Sequence, residues 1–206
     1  MFTGLPGTGK SVLSEQAARM LGCPLFSKDM IEATLWRSGV GSDANSGWAA
    51  YELMTSLAEC QLRLGQSVVL DSVATYERIR SRWRDFAASH GATFVAVECV
   101  CSNEDLQRSR LVDRQRGIPG WYEIDWHQVE QTRANYEPCT GQRLVLDAVH
   151  SLDHNGDALR TYLASSQFVP TTISAIEIRF SPGANRQFEF VWIVVGPEVA
   201  THLSLG

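Results

Sequence analysis

The sequence predicts an α/β domain in which a mostly parallel sheet lies between two layers of helices, followed by a β-rich C-terminal extension. Two observations lead to this prediction. Short apolar runs alternate with segments of helical periodicity up to about residue 165, the pattern of repeated strand–helix units. A glycine-rich segment, residues 4–11, also lies between the first apolar run and the first helix. The 206 residues suffice for one such domain and a modest appendage, which we place at 1–167 and 168–206.

The elements of the first domain follow one another in order along the chain. Strands are predicted at residues 1–3, 25–26, 67–71, 92–100 and 143–146. Helices are predicted at residues 11–21, 30–37, 77–90, 103–116 and 156–165. A longer helix is predicted after a polar loop at 39–47, from the helical spacing of Tyr51, Met54, Ala58 and Leu62. In the extension, two β-rich runs at 172–180 and 187–195 predict a hairpin.

Composition restricts the class of protein. A formal net charge of -5 argues against a chain-wide nucleic-acid footprint, which is usually basic. The five cysteines are odd in number and contain no Cys-x-x-Cys pair, which favours a reduced, intracellular chain over a disulfide framework or a zinc site. No signal peptide precedes the first motif, and no apolar run reaches about 18 residues. We therefore expect a cytoplasmic protein with no membrane segment.

The glycine-rich segment matches the phosphate-loop (P-loop) pattern G-x-x-x-x-G-K-[ST] at every fixed position. Glycines let backbone N–H groups converge on phosphate oxygens, and the following helix points its positive end at the anion. Lys10, expected to be exposed in the loop, would neutralise the β- and γ-phosphates, and the Ser11 hydroxyl would ligate Mg²⁺. The motif predicts a P-loop NTPase three-layer sandwich. ATP or GTP would be bound by Gly4, Leu5, Pro6, Gly7, Thr8, Gly9, Lys10, Ser11 and Val12.

Two carboxylates follow predicted strands close to this loop. Asp71 ends an apolar run, the form of a Walker B strand, and is expected to hold Mg²⁺ directly or through water. Asp29 begins a predicted helix, where it either accepts a proton from an attacking hydroxyl group or caps the helix. The carboxyl ends of parallel strands form the ligand-binding edge of an open α/β sheet, so both carboxylates are expected there.

A third set of polar residues lies further along the chain. Arg110 and Arg114 are spaced i and i+4, so they share one helix face, and Arg116 and a Gly-Ile-Pro-Gly break follow. Cations that close over a transferred phosphate stabilise its developing charge, so this segment either forms a lid or is a solvated helix face. The aromatic stretch that begins at Trp121 and Tyr122 either clamps an acceptor or packs beneath the lid.

Taken together, the segments GLPGTGKS, LFSKDMIEATL, SVVLDSV and RSRLVDRQR resemble the small AAA-type P-loop kinases. That group is similar to gluconate kinase, chloramphenicol phosphotransferase, the zeta-toxin kinases and the kinase domain of polynucleotide kinase. The resemblance covers about residues 1–165 and implies ATP, Mg²⁺ and phosphoryl transfer to a hydroxyl group. It implies phosphate and metal roles for Lys10 and Ser11, a base role for Asp29, and lid roles for Arg110 and Arg114.

The chain also departs from that family. Many relatives carry an arginine three residues after the aspartate, where this chain has Glu32, which disfavours a polynucleotide acceptor. The interpretation we favour is an ATP-dependent kinase of a small hydroxylated molecule. The alternatives are a hydrolytic NTPase or nucleotide switch acting on a protein partner, a polynucleotide or nucleotide-sugar kinase, and a degenerate nucleotide-binding scaffold.

Overall fold

A computed structural model of the chain describes residues 1–41, 44–112 and 114–165, and the structural statements that follow concern these residues. The strands are β1 (Phe2–Thr3), β2 (Leu25–Ser27), β3 (Val69–Asp71), β4 (Val97–Val100) and β5 (Leu144–Asp147). The helices are α1 (Lys10–Leu21), α2 (Lys28–Arg37), α3 (Ala44–Arg63), α4 (Glu77–Ser89), α5 (Glu104–Ser109), α6 (Trp126–Asn135) and α7 (Leu152–Ser165). The predicted β-rich extension at 168–206 and its hairpin lie outside the described residues.

The five strands form one parallel sheet in the order β2-β3-β1-β4-β5. β1 is the central strand although it contains only two residues. Phe2 of β1 is in register with Asp71 of β3 and Val97 of β4. Ser27 of β2 pairs with the same Asp71. The carboxyl ends of β1, β2 and β3 therefore meet at one edge, and the glycine-rich loop leaves β1 from that edge.

Helices pack on each face of the sheet through an apolar core, which gives the fold three layers. Leu13 of α1 and Leu159 of α7 belong to the first core, which also contains Phe2 and Val97 of the sheet. The second core contains buried residues of α3, β3 and α4, namely Met54, Ala58, Leu70, Ile79 and Trp83. This confirms the predicted P-loop NTPase sandwich with a parallel sheet. Within the described residues, no helix has the length and apolar character needed to cross a membrane.

The largest difference from the predicted elements lies between β4 and β5. The helix predicted at 103–116 ends at Ser109, and the segment that follows is irregular. After that point, the side chains of three arginines contact three separate segments, namely Arg110 with Ala148, Arg114 with Glu123 and Arg116 with Asp29. The periodicity did not predict the helix α6, whose N-cap residue is Asp125. Asp125 and Gln128 form a capping box, in which each side chain accepts a hydrogen bond from the other residue's backbone N–H group.

Candidate nucleotide and acceptor site

The P-loop is shaped by glycines that approach other backbone closely. Gly4 has φ of 136°, and a Cβ atom there would lie 2.1 Å from the carbonyl oxygen of Cys99. The loop is braced from β4 and α5, because the buried Gln107 side chain donates a hydrogen bond of 2.7 Å to the carbonyl oxygen of Pro6. Inside the loop, Thr8 Oγ1 donates to the Leu5 carbonyl oxygen at 2.8 Å. The local sequence and these neighbours together fix the loop conformation.

The loop delivers the N-terminus of α1 to the sheet edge with its amide groups uncapped. Gly9 occupies the N-cap position at φ of 78° and has no side chain to accept a hydrogen bond from the first turn. The first turn of α1 contains no acidic residue. The unsatisfied N–H groups and the positive end of the helix dipole thus remain available to an anion, which is the electrostatic requirement of a phosphate site.

Lys10 is buried, so the expectation of an exposed lysine in the loop was wrong. Only 8% of its surface is exposed, because Lys10 is the first residue of α1 and its Nζ lies 3.1 Å from Oδ1 of Asp71. Asp71 is 3% exposed, and the angles of this contact do not make it a hydrogen bond, so Oδ1 keeps no hydrogen-bond partner among the described residues. A buried carboxylate oxygen in this state is a suitable ligand for Mg²⁺, and the Ser11 hydroxyl adds a second oxygen of the same hard type.

Asp29 lies in the first turn of α2, and Ser27 rather than Asp29 occupies the N-cap position. The Asp29 carboxylate forms an ion pair and hydrogen bond with the guanidinium of Arg116, whose second nitrogen lies 3.5 Å from Ser11 Oγ. Burial alone would raise the pKa of Asp29, but Arg116, Lys10 and Lys28 together outweigh it and hold the pKa below its ordinary value. Asp29 is therefore a half-buried carboxylate close to the P-loop that keeps its charge at neutral pH.

The two arginines predicted to form the lid have different surroundings. Arg110 donates a hydrogen bond of 2.8 Å to the carbonyl oxygen of Ala148, which follows β5. Arg114 pairs with Glu123 through Nε at 3.4 Å, while its buried Nη2 has no hydrogen-bond partner in the described ranges. Burial, followed by the nearby charge of Arg116, lowers the pKa of Arg114. The i, i+4 spacing predicted Arg110 and Arg114 as the lid cations. In the structure it is Arg116 that pairs with Asp29.

One turn beyond Asp29, α2 carries a buried carboxylate. Glu32 is 6% exposed and forms an ion pair with Lys28 on the same helix face. Its other oxygen accepts a hydrogen bond of 3.1 Å from Ser46 Oγ, and Ser46 in turn accepts one of 3.0 Å from the indole of Trp36. This network ties the first turn of α3 to α2.

An aromatic stack joins α2 to the segment of residues 114–123, which we call the lid segment. The rings of Trp36, Trp121 and Tyr122 are parallel within 12°, with centroids 5.0–5.5 Å apart. Arg37 of α2 also donates to the carbonyl oxygen of Pro119. Burial raises the pKa of Tyr122, and the negative charges of Glu32 and Asp29 raise it further. The sequence left the role of these aromatics open between a clamp and packing.

The site thus has two halves that meet at Asp29. The P-loop, Lys10, Ser11 and Asp71 form a half suited to phosphates and a divalent cation. The helix α2 and the lid segment form a second half with a charged carboxylate, aromatic faces and a hydrogen-bonded network. Asp29 thus lies between an N-terminal helix end suited to an anion and a group of aromatic and polar side chains.

Comparison with solved structures finds the same fold in several kinases. A gluconokinase from Sinorhizobium meliloti 1021 superposes with a TM-score of 0.60 at 17% identity, covering 80% of this chain and 90% of that one. A sugar kinase from Janibacter sp. gives a TM-score of 0.62 at 13% identity, covering 84% of this chain and 96% of the other. The APS kinase of Mycobacterium tuberculosis, in complex with AMPPNP and APS, gives 0.58 at 21% identity, covering 79% and 95%.

Comparison with curated protein sequences finds no match. A family model described as an AAA domain matches residues 1–139, which include the P-loop, Asp29, Asp71 and the lid segment. The chain has the fold of the small P-loop kinase-type proteins and belongs to the AAA domain family that this model describes.

Proposed function

We propose that the protein is an ATP-dependent phosphotransferase that moves the γ-phosphate to a hydroxyl group of a small molecule. The observation that carries this proposal is the placement of Asp29 beside Ser11 and Lys10 with Arg116 as its partner. A hydrolytic NTPase needs to orient only water, whereas this carboxylate faces a second half of the site built from aromatic and polar side chains. The kinase-type fold is consistent with the proposal.

In the nucleotide half, the uncapped amides of α1 and the Lys10 ammonium group bind the phosphates. Lys10 is already fixed by Asp71, so little side-chain entropy is lost when it takes a phosphate oxygen as an additional partner. Ser11 and Asp71 would hold Mg²⁺, which when bound would neutralise phosphate charge and orient the triphosphate. Arg116 and Arg114 supply cations for the charge that develops on the transferred group, and the buried Nη2 of Arg114 has no hydrogen-bond partner among the residues that the structure describes.

In the acceptor half, Asp29 orients the hydroxyl group in line with the γ-phosphorus and accepts its proton. The new bond joins the acceptor oxygen to phosphorus, the bond between phosphorus and the bridging oxygen breaks, and ADP leaves with the electron pair. Asp29 is a weak base while Arg116 is paired with it, since that pairing lowers its pKa. When Arg116 moves to the phosphoryl oxygens, the pKa of Asp29 rises and the proton transfer becomes more favourable.

The experiment that tests this proposal is product analysis with ATP labelled at the γ-phosphate, in the presence of Mg²⁺ and a mixture of hydroxylated small molecules. We expect the label on an acceptor. Label found only as inorganic phosphate would instead identify a hydrolytic NTPase or a nucleotide switch, and ATP bound without turnover would identify a scaffold. A parallel reaction with labelled GTP determines which nucleotide is preferred.

A further inference from the structure

Pro6 and Gly7 occupy the centre of a turn in the P-loop, and Gly7 has φ of 86°. Proline followed by a residue with positive φ is the pattern of a type II turn. A type I turn differs from it chiefly by a flip of the peptide between the two central residues, and glycine tolerates both forms. The Pro6–Gly7 peptide therefore has two accessible orientations, which direct the Gly7 N–H group to opposite sides.

The side chain of Gln107 holds one of these orientations. Gln107 of α5 is 2% exposed, and its Nε2 donates a hydrogen bond of 2.7 Å to the Pro6 carbonyl oxygen. Its Cγ atom also lies 3.1 Å from the position that a Cβ atom of Gly7 would take. The C=O and N–H bonds of a trans peptide point in opposite directions. A Pro6 carbonyl group directed at α5 therefore aims the Gly7 N–H group away from α5.

Arg133 of α6 fixes which end of the Gln107 amide faces the P-loop. Its Nη2 donates a hydrogen bond of 3.1 Å to Gln107 Oε1. A guanidinium group has donors and no acceptor, so the amide oxygen faces Arg133 and the amide nitrogen faces Pro6. A rotated amide would place Oε1 against the Pro6 carbonyl oxygen, with no hydrogen atom between the two acceptors. Two successive hydrogen bonds thus connect the P-loop to α6, the helix that follows the lid segment.

We propose that Gln107 and Arg133 are positioning residues for nucleotide binding, which together hold the Pro6–Gly7 peptide in the orientation that presents the Gly7 N–H group to a phosphate. This inference rests on the nucleotide half of the proposed function and does not depend on transfer to an acceptor. Both residues act through the peptide and do not need to contact the phosphate. The apparent affinity for a nucleotide is proportional to the fraction of molecules in the competent orientation, so loss of this hold weakens binding in the same proportion.

The surface around Arg133 supplies a matched control. Arg133 and Arg108 both pair with Glu104, at 3.1 and 3.3 Å. Their guanidinium carbons also lie 5.1 and 4.6 Å from the centre of the Trp126 ring. In the described part of the chain, Arg133 is the one of the two that also bonds Gln107. Arg133→Met and Arg108→Met therefore remove similar contacts and differ in the hydrogen bond to Gln107.

Nucleotide binding tests the proposal without a known acceptor. The dissociation constant of a non-hydrolysable ATP analogue is measured by isothermal titration calorimetry in the presence of Mg²⁺, for the full chain and each variant. We expect Arg133→Met to weaken binding about tenfold, which corresponds to a competent fraction of about one tenth. Arg133→Lys, which retains a donor, should restore part of the affinity. Arg108→Met should change it less than about twofold, since exposed ion pairs contribute little. Equal effects of Arg133→Met and Arg108→Met overturn the inference.

Gln107→Met tests the amide itself, because methionine has a similar length and no N–H group. We expect the affinity for the ATP analogue to fall about tenfold or more, the cost of losing the bond that selects the peptide orientation. Gln107 is buried, so the melting temperature is measured alongside. A merely structural role would lower the melting temperature and leave the affinity of the folded protein unchanged, and that result overturns the inference.

The amide resonance of Gly7 reports the peptide orientation directly. It is recorded by NMR on ¹⁵N-labelled protein without nucleotide. We expect the resonance to shift in Arg133→Met and to keep its position in Arg108→Met, although both substitutions lie on the same surface. An identical Gly7 resonance in the parent and Arg133→Met overturns the inference.

These results also separate the inference from the proposed function. ATP that binds more weakly to Arg133→Met than to the parent, and is never transferred to an acceptor, supports the inference and contradicts the kinase proposal. Transfer of label from γ-labelled ATP, with equal affinities in the parent and Arg133→Met, supports the kinase proposal and contradicts the inference. A parent protein that binds no nucleotide contradicts both.

Discussion

The P-loop and the lid segment contribute to the same site but are determined by different kinds of information. In the P-loop, the essential features are local, since Gly4, Gly7 and Gly9 adopt positive φ values and the N-terminus of α1 follows directly. In the lid segment, the essential features are long-range, since Arg116 reaches Asp29 over 87 positions of the chain. The P-loop can therefore be recognised from eight consecutive residues, whereas the contacts of the lid segment are set by tertiary packing.

This difference has an energetic consequence. A loop whose shape depends on close backbone approach tolerates few substitutions, because the neighbouring backbone cannot move aside. A segment held by side-chain contacts, such as the Arg37 and Trp36 contacts of the lid segment, can be altered without loss of the domain. We expect P-loop substitutions to affect folding and nucleotide binding, and lid substitutions to affect turnover and acceptor selectivity.

The largest expected effect is that of Lys10→Ala. Activity should fall roughly a thousandfold, because a preorganised cation at the transferred phosphate is lost. This change also leaves the buried Asp71 carboxylate unpaired and should lower the free energy of unfolding by about 3 kcal/mol. Thermal unfolding and ATP turnover measure the two effects separately.

A double variant sharpens this prediction. Lys10→Ala/Asp71→Asn removes the unpaired charge, so its melting temperature should return towards that of the parent while activity stays lost. A double variant as unstable as Lys10→Ala would show that the ion pair does not stabilise the P-loop edge of the sheet.

The next effect concerns the closest backbone approach in the P-loop. Gly4→Ala should lower the free energy of unfolding by about 2–5 kcal/mol, because the new Cβ would collide with the Cys99 carbonyl group at a strained φ. Gly9→Ala is the matched control, since its Cβ would have no neighbour within 4 Å in the described part of the chain. It should cost only the backbone strain of about 1–2 kcal/mol. Equal destabilisation of the two variants in denaturant titrations would contradict this explanation.

The contacts of the three arginines rank them by the expected loss of kcat on substitution. Arg116→Gln should lower kcat about a hundredfold, since Arg116 contacts both Asp29 and Ser11, and Arg114→Gln somewhat less. Arg110→Gln should have the smallest effect, because in the structure Arg110 holds the Ala148 carbonyl group. Steady-state kinetics with saturating ATP provide the comparison. A larger effect of Arg110 than of Arg116 would favour the original i, i+4 prediction.

The smallest expected effect is a shift in the pH dependence of kcat/KM. Because neighbouring cations lower the pKa of Asp29 despite its burial, its stabilising charge is present above the ordinary aspartate pKa of about 4 and is lost as pH falls through the lower folded-state value. Arg116→Gln should raise that pKa and move the acid limb of kcat/KM to higher pH. A carboxyl ¹³C NMR titration of Asp29 gives the same comparison directly, and an identical titration in both proteins would exclude Arg116 as its main partner.

Much of the fold was predictable because its signals are local. The alternation of strands and helices, the P-loop, and Asp71 at the end of an apolar strand predicted the parallel three-layer sandwich, which the structure confirms. The early end of α5 was not predictable from spacing, because the partners of Arg110 and Arg116 are distant in sequence. The start of α6 did carry a signal, the Asp125-x-x-Gln128 capping box, which the aromatic pattern around it obscured.

The positions of the candidate site residues could be predicted where the signal is local. Each P-loop residue follows from the motif, and Asp29 and Asp71 follow from the ends of strands. The Arg116–Asp29 pair and the Ser46–Glu32 hydrogen bond are set by packing between α2, α3 and the lid segment, so a linear pattern does not contain them. The Lys28–Glu32 pair, by contrast, has the i, i+4 spacing of one helix face. The roles of the site residues in catalysis stay proposals.

The measurement that tests the two-half site most directly is made on Asp29→Asn. This change keeps the size of the side chain and removes the carboxylate charge. We predict that phosphoryl transfer from γ-labelled ATP to the acceptor falls at least a thousandfold, while ATP affinity in the presence of Mg²⁺ changes less than threefold. Asp71→Asn, measured alongside, should weaken the Mg²⁺-dependent binding that Asp29→Asn leaves intact. Transfer at the parental rate in Asp29→Asn would contradict the assignment of Asp29 as the base.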